Sequence, residues 1–182
     1  MKTSIIFIFI FLIFSNLSLG QSPIEKGTFS LNGNISFTSN YEEDDFFNST
    51  IFIFNPRFDY FIINNLSLGL SLYFKNSSFA GTSSSSKGIG PSIRYYFDVL
   101  NIKPFVGAGY SYADDNTSII YNNAILNLGV DYFLTDNVAL ETVLSYTFMD
   151  IKYPDVYQTY YPDLKSSRKS LSIGLGVNVF LR

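Results

Sequence analysis

Between residues 66 and 74 every second side chain is apolar. Leu66, Leu68, Leu70, Leu72 and Phe74 fall on one face, and Ser67, Gly69, Ser71 and Tyr73 on the other. Successive side chains of an extended strand point to opposite faces, so this period of two marks a strand with one apolar side. Residues 171–181 repeat it, with Leu171, Ile173, Leu175, Val177, Val179 and Leu181 opposed to Ser172, Gly174, Gly176 and Asn178. Six further segments read the same way: 28–38, 50–62, 88–97, 104–113, 122–133 and 138–148. Eight segments of about ten residues are what a tilted strand needs to cross a bilayer.

The connections alternate in length. Short ones at 63–65, 98–103 and 134–137 follow the even segments, and long polar ones at 39–49, 75–87, 114–121 and 149–169 follow the odd ones. Short turns at one end and long loops at the other are the arrangement of transmembrane barrels. Lipid cannot satisfy a free sheet edge, so the expected fold is all-β, a closed antiparallel up-and-down transmembrane barrel of about eight strands. Its apolar face points outward. Its inward list is Ser, Asn, Gly and a few charges, which suits an interior just wide enough for side chains. Phe37, Tyr60, Phe74, Phe97, Tyr112, Tyr132 and Phe148 sit near segment ends, where interfacial girdles belong. Phe180 has inward parity.

The mean hydropathy of +0.16 fits alternation better than long helical spans. Charged residues are 15% of the chain. Lys2, the apolar run 5–14 and the small residues Ser18 and Gly20 form a signal-peptide pattern, with cleavage expected before Gln21. The expected organisation is a signal peptide over 1–20 and a barrel domain over 21–182. A formal charge of −3 gives no basic face for nucleic acid. Cysteine and histidine are both absent. That removes thiolate chemistry, cysteine zinc sites and histidine-dependent catalysis. No cofactor, metal site or enzymatic activity is expected.

With these features the chain resembles the small outer-membrane β-barrel family, the OmpA/OmpX-like group, over nearly all of 27–182. One local motif carries the resemblance: Ser172, Gly174, Val177 and Val179 fill the places of a C-terminal assembly signal. The resemblance implies residence in a bacterial-type outer membrane and insertion by the outer-membrane assembly machinery.

Five charges have inward parity: Arg57, Asp59, Arg94, Asp131 and Glu141. They either line a narrow polar pore or pair as a structural plug; buried charges must be paired or solvated, and the plug is the favoured expectation. The acidic run Glu42, Glu43, Asp44 and Asp45 reads as a solvated loop. Tyr153, Tyr157, Tyr160 and Tyr161 stand in the last long loop among Lys165, Arg168 and Lys169, as candidate contacts for a surface partner. The run 83–86 reads as a flexible loop tip. Three functions fit: a monomeric barrel, in contact with outer-membrane lipid, that presents surface loops for adhesion or envelope integrity; a narrow channel for small solutes or ions; and a secreted soluble barrel, apolar inside, for a ligand.

Overall fold

The computed structural model describes residues 23–40, 49–79, 82–99, 102–115, 119–154 and 167–182. Eight antiparallel strands close into one barrel. They are β1 (Phe29–Asn40), β2 (Ser49–Ile63), β3 (Leu66–Phe79), β4 (Thr82–Tyr96), β5 (Ile102–Asp115), β6 (Ile120–Phe133), β7 (Val138–Lys152) and β8 (Ser167–Leu181). Each is bonded to its chain neighbours, and β8 returns to β1.

The register fixes the shape. Followed from Phe29 through Tyr60, Leu68, Ile93, Ala108, Leu126, Tyr146 and Leu171, and continued along the β8 register, it comes back to β1 opposite Ser39. That is a stagger of about ten residues. With about 3.3 Å per residue and about 4.8 Å between strands, it tilts each strand by about 40°. The outward apolar stripe of β8, Leu171 to Leu181, then rises about 25 Å along the barrel axis, the height of an outer-membrane apolar band.

The two faces are sharply divided. Outward Leu70, Leu126, Leu128 and Leu175 are exposed, whereas inward Asn32, Asp59, Arg94, Asp131 and Glu141 are buried. An apolar wall around a polar interior is the inverse of a soluble ligand-binding barrel, and such a wall needs lipid around it.

Two expectations about the connections are corrected. The segment 75–87 is mostly strand: β3 and β4 stay paired from Phe74↔Lys87 up to Phe79↔Thr82. Ser83 to Ser86 are therefore β4 residues and not a loop tip. Backbone pairing does not need apolar side chains, so the ladder outlasts the alternation that revealed it. The segment 114–121 shortens likewise, because β5 runs to Asp115 and β6 starts at Ile120.

Two ladders are interrupted, each beside a proline. Between β2 and β3 the pairing stops at Phe54↔Phe74 and resumes at Arg57↔Ser71, across Pro56. Between β4 and β5 the pairing stops at Ile89↔Tyr112 and resumes at Ser92↔Gly109. Pro91 lies in the gap and has no N–H to give. The backbones approach closely there, and a Cβ on Gly90 would strike the carbonyl oxygen of Tyr110.

Candidate functional site

The lumen is filled in layers. Nearest the short turns is an apolar floor of Ile24, Phe61, Tyr96, Phe105, Ala139 and Phe180, with Phe133 packed against it; Val143, two residues past Glu141 on β7, belongs to the same cluster. Its rings touch in series: Tyr96–Phe105 at 5.3 Å, Phe61–Tyr96 at 5.6 Å, Phe61–Phe180 at 6.2 Å and Phe133–Phe180 at 5.0 Å. Such tilted aromatic contacts add to the burial of large apolar area.

The chain ahead of β1 completes this floor. Gly27, at φ 93°, turns the backbone in a way a side chain would oppose. The turn is pinned by Gly27 N–H donating to the Phe61 carbonyl at 2.9 Å and Phe61 N–H donating to Thr28 at 2.9 Å. Asn65 N–H donates to Ile24 at 2.8 Å. Ile24 is thereby held fully buried in the short-turn mouth.

Next along the axis lies a charged layer. Arg57 of β2 donates through Nε to Asp59 at 2.6 Å and reaches Glu141 of β7 at 3.4 Å. Arg94 of β4 pairs with both oxygens of the same Glu141 carboxylate. Arg94 also lies over the Phe105 ring, 4.1 Å from its centroid, which ties the charged layer to the floor. Asp131 of β6 accepts from Asn178 of β8 at 3.0 Å. The five charges of the sequence reading thus lie inside the barrel, and four of them form one network across it: two guanidiniums share Glu141, and Arg57 keeps Asp59 as well. At the short-turn end Lys103 pairs with Asp98.

The remaining motif residues are dispersed. Gly174 is buried on β8, where a Cβ would meet the Asn34 amide. Ser172 is exposed, Val177 faces outward and Val179 is half-buried. Tyr153 is half-buried just after β7. Tyr157, Tyr160, Tyr161, the run 42–45 and the segment 1–20 lie outside the described residues.

Of the aromatic floor only Phe180 carries inward parity in the sequence reading, whose inward list is otherwise small polar residues and a few charges. The signal of the floor is present in the chain. In Tyr60–Phe61–Ile62, Tyr95–Tyr96–Phe97 and Val179–Phe180–Leu181 the apolar character occupies both parities, and all three triplets lie at the short-turn end.

Residues 8–179 match the family model described as outer membrane protein beta-barrel domain. The chain belongs to this family. It is an outer-membrane barrel, in contact with membrane lipid. The fold is similar to that of the Neisserial surface protein A, at 19% identity and a TM-score of 0.59, over 85% of this chain and 97% of that one. It is also similar to the N-terminal β-barrel domain of Pseudomonas aeruginosa OprF, at 14% identity and 0.56, over 86% and 98%. A third likeness is to the outer membrane protein OprG of P. aeruginosa, at 12% identity and 0.52, over 89% and 100%. At these identities the likeness is one of fold. No curated protein matches the chain.

Proposed function

We propose that this protein is a closed, non-enzymatic, monomeric barrel whose task is to hold surface segments in place for contact or envelope integrity. The observation that carries this is the two-layer filling of the lumen. Three ion pairs converge on Glu141 and Asp59, and the aromatic floor lies directly beside them. A solute crossing the barrel would have to displace both, and breaking a buried pair leaves an uncompensated charge. Asp59 and Glu141 accept from guanidinium donors and Asp131 from the Asn178 amide, which ties each lumen carboxylate into the filling. Removal of residues 1–20 on export, and reading of Ser172, Gly174, Val177 and Val179 by the assembly machinery, belong to the same proposal.

The runner-up is a narrow ion channel. What favours it is that Asn32, Ser67 and Ser92 keep buried polar atoms without a protein partner among the described residues. Such atoms are normally satisfied by water, so part of the lumen is wet. Conductance of the refolded barrel in a planar bilayer decides between the two. The plugged barrel gives no steady current steps at moderate voltage; regular steps that scale with salt would replace this reading with the channel.

A further inference from the structure

Seven residue pairs join β1 to β8, from Phe29↔Leu181 to Ile35↔Leu175. Both strands continue past that point, β1 to Asn40 and β8 back to Ser167. There, among the described residues, each is bonded only to its other neighbour, β1 to β2 as far as Asn40↔Ser49 and β8 to β7 as far as Asp150↔Ser167. The seam is split over its loop-side half. The outward residues beside the split show it independently. Phe37, Leu171, Ile173 and Leu175 are 61–68% exposed, more than any other large apolar residue of the wall, the next being Leu128 at 57%. These residues lie at lipid depth, where an unpaired backbone group finds no water. A splay there is expensive to keep, so it points to a use.

The inner side of the split agrees. Ser36, Ser170, Ser172 and Gly174 have inward parity and offer no bulk to close it. One strand further round, the inward rows are apolar: half-buried Ile51 and Ile53 on β2, half-buried Met149 and buried Ile151 on β7. Further down, the charged layer and the floor block the axis. A molecule that comes in from the loop side therefore has one way out, sideways.

We propose that the split seam is a lateral port for an elongated apolar molecule. The molecule lies against Ile51, Ile53, Met149 and Ile151 and leaves between β1 and β8 into the bilayer. The proposal rests on the plugged-lumen reading, since an open lumen would offer a straight path.

The test uses cells carrying the full-length chain in their outer membrane and N-phenyl-1-naphthylamine, whose fluorescence rises when it reaches lipid. The native barrel speeds the rise several-fold over cells without it. Continuing the seam register sets Phe37 opposite Ile173, and the chain has no cysteine of its own. A Phe37→Cys/Ile173→Cys variant, oxidised, closes the seam, and the rise falls to the background rate; reductant restores it. Ser170→Trp, which fills the split from inside without a cross-link, gives the same loss, with heat-dependent gel mobility showing that the barrel is folded. Three results overturn the port: a native rate equal to background, an intramolecular staple or folded Ser170→Trp barrel that leaves the rate unchanged, or a cross-link between two chains, which would make the split an edge for a second copy. A steady ion current in the bilayer experiment would remove the plug alone; the staple reports on the seam.

Discussion

Replacing Glu141 by Gln probes the point on which the lumen turns. The carboxylate is fully buried and serves both Arg57 and Arg94, whose side chains are 9% and 3% exposed. Arg57 keeps Asp59 after the substitution, but Arg94 loses its only ion-pair partner among the described residues. Leaving one buried charge uncompensated costs about 3–5 kcal/mol. For a barrel that unfolds in urea with a slope of about 2 kcal/mol/M, a loss of about 4 kcal/mol lowers the midpoint by about 2 M. The chain has no Trp but 14 Tyr, so unfolding from lipid vesicles is followed by tyrosine fluorescence and far-ultraviolet circular dichroism. The same account requires that Arg94→Met together with Glu141→Met be less destabilising than the two single changes summed, by about 2 kcal/mol, because neither leaves an orphan charge. A Glu141→Gln barrel with the native midpoint, or a strictly additive double variant, would refute the claim that these pairs act as one electrostatic unit.

Two further outcomes follow from the packing. Gly90→Ala places a Cβ against the Tyr110 carbonyl, a backbone atom that cannot rotate away; overpacking of this kind costs about 1–3 kcal/mol, and the folded, heat-shifting fraction on gels is expected to fall, whereas full native recovery would mean that β4 and β5 separate easily there. Ile24→Asp buries a carboxylate among Phe61, Tyr96 and Phe180; the segment ahead of β1 undocks locally while the barrel stays closed, so protease added in detergent trims the N-terminus of the variant faster than that of the native chain. Equal trimming would show that Ile24 does not hold the segment.

Much of the fold was legible because lipid imposes a simple rule on each strand. All eight segments have their counterparts, and Arg57, Asp59, Arg94, Asp131 and Glu141 point inward because their neighbours at odd spacing, such as Phe58, Tyr60, Ile93, Tyr132 and Leu140, point out. Parity does not say which charges meet. Arg94 reaches Glu141 three strands away across the lumen, and that depends on a stagger no single strand encodes. The upper β3–β4 hairpin was hidden for a different reason. Beyond Phe74 the outward positions become Asn76 and Ser78, facing Ser85 and Ser83, so polarity stops alternating while pairing continues. The floor was hidden by the reverse effect, in triplets apolar at every position.

That hairpin gives the protein a stalk. From Phe74 to the last pair, Phe79↔Thr82, the paired backbone climbs roughly 12 Å at the tilt of the barrel. Serine and threonine hydroxyls stand on its faces, held by a sheet continuous with β2. A binder that meets them finds groups already ordered, and has less conformational freedom to quench than on a floppy loop. For an engineer, the junction between positions 79 and 82 is therefore a mast: an epitope spliced there would fly clear of the lipid, aimed by the barrel beneath it.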